Sequence, residues 1–168
     1  LPFDDRMVQP VFHPDGDRLL MIKGPYDSDI VKLSLSELQN DNPPSDTYDS
    51  LERSTLGEDY AIFQPGGSLM AFWSERSGEQ QLWISDGQTP IMLTDFPTDS
   101  FINGIDWATD GQSLLVNANG VLNQVHLDGK RQTFPMPNEV WQLFQWDSEN
   151  NSALLHVIDE GMSQYVEY

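Results

Sequence analysis

Short runs of alternating apolar and polar residues fill most of the chain, and four of them repeat one design. Residues 8–12 lead through the turn HPDG into RLLMIK at 18–23. Residues 60–63 lead through QPGG into SLMAFWS at 68–74. Residues 105–107 lead through ATDG into SLLVN at 113–117, and 143–146 lead through DSENN into ALLHVI at 153–158. Period-2 alternation predicts strands. A tight Gly-bearing turn between two of them predicts an antiparallel hairpin, because glycine takes a positive φ without steric penalty. A third strand is expected in each unit, at 30–34, 81–85, 121–127 and 164–168. A fourth is expected at 52–55, 90–94 and 131–134, and the last unit has none. One helical turn is expected at 34–39, capped by Ser36, followed by a polar, Pro-containing loop at 39–49.

The aromatic before each turn sets the period. Phe12, Phe63, Trp107 and Trp146 stand about 51, 44 and 39 residues apart. A lone four-stranded unit cannot bury both of its faces, whereas stacked units bury a continuous core. The reading is therefore an all-β chain of β-propeller-like blades, three complete and one truncated. The approximate repeats are 8–55, 60–94, 102–134 and 140–168. Phe72 and Trp73 are neighbours in one strand and are expected to serve opposite faces of their blade.

The motifs resemble those of the TolB-like, PD40-type propeller repeat. The second unit carries them most fully, as FQPGGSLMAFWSERSGEQQLWISDGQTPIMLTDF. The first has FHPDG and DIVKLSL, and the third has WATDG and LNQVHLDGKRQTF. The fourth has WDSEN, which lacks both Pro and Gly and departs most. The resemblance implies a propeller fold and is nearly silent on activity. It offers three contexts: a periplasmic envelope protein, the gating propeller of a serine peptidase, and the extracytoplasmic part of a membrane-anchored regulator with a winged-helix domain. The third, a non-enzymatic sensor or interaction domain, is the leading expectation.

Charge narrows the partners. Eight Lys and Arg face 27 Asp and Glu, a net charge of −19, so direct nucleic-acid contact by this segment is disfavoured. A protein or peptide partner with basic character is favoured instead. Cysteine is absent, which removes disulfides, thiol nucleophiles and thiolate metal sites. His13, His126 and His156 show no metal-ligand spacing, and no serine sits in a G-x-S-x-G elbow. The pairs Asp15/Asp17 and Asp27/Asp29 lack the full spacing of a calcium loop and read as turn chemistry. Gly66-Gly67 opens no helix and so is no phosphate cradle. Lys130-Arg131 reads as a turn running into a strand. No catalytic, cofactor or metal residue is assigned, and no cofactor is expected. The expected interaction rim is Tyr26, Tyr48, Phe101 and Trp141, aromatics in loops or at strand starts.

No membrane span is expected in this segment, and an extracytoplasmic location is. Because the fourth unit has three strands, three arrangements are ranked: part of a longer propeller, an arc that associates with itself, and a tight four-bladed ring. Association between copies through open blade faces is a further expectation.

Overall fold

A computed structural model of the 168-residue chain describes residues 7–23, 28–35 and 48–168. These form fifteen strands in four antiparallel sheets, each built from strands consecutive in sequence. The first sheet holds β1 (Met7–Phe12), β2 (Arg18–Lys23), β3 (Asp29–Ser34) and β4 (Tyr48–Glu52). The second holds β5 (Glu58–Phe63), β6 (Met70–Ser74), β7 (Gln81–Ser85) and β8 (Ile91–Met92). The third holds β9 (Ile102–Trp107), β10 (Ser113–Ala118), β11 (Val121–His126) and β12 (Arg131–Phe134). The fourth holds β13 (Glu139–Asp147), β14 (Ser152–Asp159) and β15 (Met162–Glu167), and β15 is its outer strand.

Three apolar clusters lie between consecutive sheets. Leu20 and Ile30 meet Ala61, Met70 and Phe72 between the first and second. Ala71, Leu82 and Ile84 meet Ile102, Trp107 and Leu114 between the second and third. Leu115 and Leu122 meet Val140, Leu143 and Leu155 between the third and fourth. Alternation divides neighbours between the cores: Phe72 lies in the first cluster and Trp73 packs on the second, while Leu114 and Leu115 split between the second and third. Sheet-to-sheet packing runs from β1, β2 and β3 to β5, from β5 to β9, and from β9, β10 and β11 to β13. The described sheets thus stack in chain order as an arc.

Each β1-type strand carries a bulge. The register slips between Val8 and Val11 in β1, between Asp59 and Ile62 in β5, and between Ile102 and Ile105 in β9. β13 slips twice, between Val140 and Gln142 and between Leu143 and Gln145. A bulge inserts one residue against the pleat and re-aims its side chain. This explains why β5, β9 and β13 begin earlier than alternation predicts. β4 is the largest displacement, at 48–52 rather than 52–55, because its pairing runs from Leu33–Tyr48 to Ile30–Glu52. The expected helical turn and the loop after it fall mostly outside the described residues, as do Asp27 and Tyr26.

The hairpin turns form the other end of the arc. Gly16, Gly66 and Gly111 take positive φ values of 79°, 64° and 67°. The fourth turn has no glycine, and Asn151 takes that role one residue later, at φ 53°. Asparagine tolerates this region better than most residues. Successive turns touch: the His13 ring stands edge-on to Phe63 at 4.2 Å, Gln64 Nε2 donates to Gly111 O at 2.8 Å, and Thr109 N donates to Ser148 Oγ at 2.9 Å.

Candidate functional site

The bulges of β5, β9 and β13 bring a line of polar side chains together at the end of the arc opposite the turns. Tyr60 sits in the first of them at φ 53°, a left-handed conformation that an aromatic residue rarely adopts. Its hydroxyl donates to Asn103 Oδ1 at 2.7 Å and accepts from Gln142 Nε2 at 3.4 Å. Asn103 Nδ2 in turn donates to Trp141 O at 2.6 Å. Asn117 Nδ2 reaches Val140 O and Trp141 O at 3.0 and 3.2 Å. Three sheets are linked through one tyrosine and two asparagines.

Gly104 makes the close approach possible. Its φ is 114°, and a Cβ there would lie 2.2 Å from Leu143 O. No side chain fits that gap, so the β9 bulge needs glycine for both shape and space.

Two exposed aromatics stand on this pinned backbone. Trp141 is 54% exposed and Phe101 is 55% exposed. Trp141 is the extra residue of the first β13 bulge, with its carbonyl held by Asn103 and Asn117. Phe101 is held by Asn119, whose Oδ1 accepts from Phe101 N at 2.7 Å and whose own N donates to Phe101 O at 2.9 Å. Of the four aromatics expected at a rim, these two occupy the starts of adjoining strands. Tyr48 lies on β4, the outer strand of the first sheet, and is partly exposed.

Two half-buried carboxylates lie on the same strands. Burial raises the pKa of Asp59 and of Asp106 above the ordinary range, against the opposing effect of backbone N–H donors. Asp106 accepts from Trp107 N at 2.9 Å and, across the sheet interface, from Trp146 N at 2.7 Å. Burial also raises the Tyr60 hydroxyl, with the Asp59 charge adding to it.

A cleft opens between the third and fourth sheets on the turn side. One compartment, about 420 Å³, presents Thr109, Asp110, Gln124, Ser148 and Glu149. An adjoining one, about 240 Å³, presents Leu115, Leu122, Pro135, Met136 and Tyr168. Phe134, Trp146 and Asn151 line both. A polar chamber beside an apolar one suits an amphipathic group.

Between the first two sheets lies a buried charged knot that the sequence pattern does not reveal. Arg76 Nη1 reaches Glu52 Oε2 at 3.1 Å and Arg76 Nη2 reaches Glu58 Oε1 at 3.2 Å. Glu58 is fully buried and Glu52 is 4% exposed. Ser74 and Ser54 donate to the same Glu58 oxygen, and the guanidinium lies over the Phe72 and Trp83 rings. The β5–β6 pairing sets Arg76, two residues past Ser74, beside Glu58, and the stacking of the first sheet on the second brings Glu52 to both.

The histidines are dispersed. His13 lies in the first turn with Asp15 and Arg18, and Arg18 holds the Asp15 carboxyl well below its usual range. His126 ends β11. His156 contacts Ser163 and stacks on Tyr165 with centroids 5.0 Å apart, and no carboxylate orients its ring among the described residues. Among those residues no group of three His, Asp or Glu converges as a metal site. No helix there is long and apolar enough to cross a membrane.

No protein-family model matches the chain, and no curated protein sequence matches it significantly. Solved structures do match. A puromycin-hydrolyzing peptidase from Mycobacterium tuberculosis superposes over 100% of the chain with a TM-score of 0.76 at 16% identity. TolB from Acinetobacter baumannii superposes over 90% with a TM-score of 0.61 at 18% identity. An oligogalacturonate lyase in complex with manganese superposes over 99% with a TM-score of 0.64 at 13% identity.

The fold is that of β-propeller blades. At these identities the likeness concerns the fold alone. The chain spans 30%, 40% and 54% of those three proteins.

Proposed function

We propose that these propeller blades form a non-enzymatic recognition segment of an extracytoplasmic protein, binding a protein or peptide at the bulged end of the arc. The observation that carries this is the presentation of Trp141 and Phe101. Each is more than half exposed while its backbone is held by asparagine side chains. A large aromatic on a fixed backbone binds with little loss of conformational freedom, which is the property of an interface anchor. The acidic surface steers basic partners toward it. A role as the sensor portion of a membrane-anchored transcriptional regulator is the more specific form of this proposal and rests on the repeat resemblance.

The test is capture of cell-envelope proteins by the wild-type chain and by a Phe101→Ala/Trp141→Ala variant. The expected result is a partner retained by the wild type and lost by the variant, with the thermal midpoint unchanged. Equal capture by both would remove the bulged end from consideration.

A second reading is favoured by the superposition on the peptidase over the whole chain. In it the blades are the propeller portion of a larger hydrolase. Turnover of an aminoacyl amide by this chain, abolished by Ser163→Ala, would overturn the non-enzymatic proposal.

A further inference from the structure

The hairpin turns pack sheet against sheet through one recurring position, the residue after the aromatic that closes the first strand of a sheet. In the first turn it is His13, whose ring stands edge-on to Phe63 of the next sheet at 4.2 Å. In the second it is Gln64, which donates to Gly111 O at 2.8 Å and lies so close that a Cβ on Gly111 would be 3.1 Å from Gln64 Cγ. In the third it is Ala108, which carries only a methyl group. The gap that a long side chain fills between the earlier sheets is therefore open between the third and fourth. The cavity of about 420 Å³ lies there, with Ala108 on its wall.

All of its lining residues fall within 108–151, on two turns and on β10 to β13. Both turns are fixed. Thr109 N donates to Ser148 Oγ at 2.9 Å, and the Ser148 hydroxyl donates to Thr109 Oγ1 at 3.2 Å. Asp110 Oδ1 accepts from Gln112 N at 2.9 Å, and Asp147 accepts from Asn150 N and Nδ2 at 3.0 and 2.7 Å. A site held in this way loses little conformational freedom when it is filled.

The chemistry of the walls selects the ligand. Phe134 and Trp146 supply aromatic rings, and Asp110 and Glu149 supply carboxylates from exposed turn positions. No Lys, Arg or His lines the cavity. Gln124 Nε2 donates to the buried Ser113 Oγ at 3.0 Å, which leaves Gln124 Oε1 as an acceptor. That oxygen, the second oxygen of Asp110 and the Glu149 carboxylate have no hydrogen-bond partner among the described residues. An anion would meet two like charges here. A primary ammonium brings three N–H donors and no acceptor, and its charge is attracted to aromatic faces.

We propose that this cavity binds a small organic cation, a primary ammonium that carries an apolar group. Its ammonium is held by Asp110, Glu149 and Gln124 Oε1. Its apolar group lies against Trp146, Phe134 and the Ala108 methyl. The site is at the turn end of the arc, apart from Trp141 and Phe101 at the bulged end, and gives the blades a small-molecule ligand in addition to the protein partner proposed above.

The experiment titrates the full chain with benzylamine at pH 7, followed by calorimetry and by amide chemical shifts. The expected result is saturable binding with shifts at 108–113, 124 and 146–151. Benzyl alcohol, the neutral isostere, is expected to bind at least tenfold more weakly, and 0.5 M salt to weaken benzylamine severalfold. Asp110→Asn and Glu149→Gln are each expected to weaken it at least threefold, and Asp86→Asn, on another turn, to leave it unchanged. Ala108→Gln places the second turn's side chain in the third and is expected to abolish binding. Should that variant fail to fold, the two carboxylate variants, with thermal midpoints as the control, decide the question. Equal affinity for benzyl alcohol would show apolar fit alone and overturn the proposal. Equal weakening by Asp86→Asn would make the attraction general to the acidic surface and overturn it too. Retained binding in a folded Ala108→Gln chain would place the amine elsewhere, and glucose producing the same shifts where benzylamine produces none would assign the cavity to a saccharide; either result overturns the proposal. So would absence of binding at tens of millimolar benzylamine.

Discussion

Replacing Arg76 with leucine tests whether the charged knot holds the first sheet on the second. Arg76 is mostly covered, and both of its partners are more than nine-tenths buried. The leucine side chain keeps much of the contact with Phe72 and Trp83 but supplies no donor. Glu52 and Glu58 then lie close together in the interface without a cation, and each already has one oxygen without a partner among the described residues. Removing one member of a buried ion pair costs about 3–5 kcal/mol. At this chain length about 2–4 °C of midpoint accompanies each kcal/mol, so a fall of roughly 6–20 °C is expected. The assay is thermal unfolding by circular dichroism and calorimetry at pH 7. Adding Glu52→Gln and Glu58→Gln to the leucine variant removes the unpaired charges and is expected to recover at least half of the loss. A loss under about 1 kcal/mol, the range of surface pairs, would refute the reasoning. So would a triple variant no more stable than the single one.

Gly104→Ala places a methyl carbon against Leu143 O, and the expected outcome is loss of cooperative unfolding or a midpoint drop larger than that of Gly78→Ala, where the space is open. Tyr60→Phe removes the bond to Asn103 and is expected to cost about 0.5–1.5 kcal/mol by chemical denaturation. Asn151→Ala is expected to cost about 1 kcal/mol for the left-handed conformation, while Asn151→Gly stays within about 0.5 kcal/mol of wild type. The raised carboxyl of Asp106 binds its proton more tightly folded than unfolded. Its contribution to stability is full below the ordinary carboxylate pKa and is lost as pH rises through the folded value. Relative to Asp106→Asn, the wild type should therefore gain stability between pH 7 and pH 4, measured by urea titration at each pH. A constant difference across that range would contradict the burial argument.

The sequence made many of the strands legible because short apolar or β-prone runs are bounded by turn residues: β2, β7 and β12 span the expected 18–23, 81–85 and 131–134 to the residue. It was less informative wherever a strand leaves period-2 alternation. β13 extends four residues further toward its start than alternation suggests, since Trp141 and Phe144 are both extra residues that invert the pattern. β9 likewise starts three residues before the expected 105, because its bulge at Asn103 and Gly104 interrupts the alternation. β4 reads YDSLE, an outer strand with little apolar content, so pairing alone defines it. Trp141 and Phe101 were recognisable as isolated aromatics. Their fixation by Asn103, Asn117 and Asn119 was not, because those bonds join residues brought near by bulges and by stacking of sheets.

Many of the links between sheets end on backbone atoms. Asn103 and Asn117 grip the carbonyls of residues 140 and 141, Gln64 grips that of residue 111, Trp107 that of residue 62, and Asp106 the N–H of residue 146. A backbone atom is the same whatever side chain it carries. The receiving position is therefore free to change while the gripping residue is not. Saturation mutagenesis should reveal that asymmetry as tolerant and intolerant partners within each link. It also gives one physical route by which blades that agree in shape can share so few residues with the solved structures they resemble.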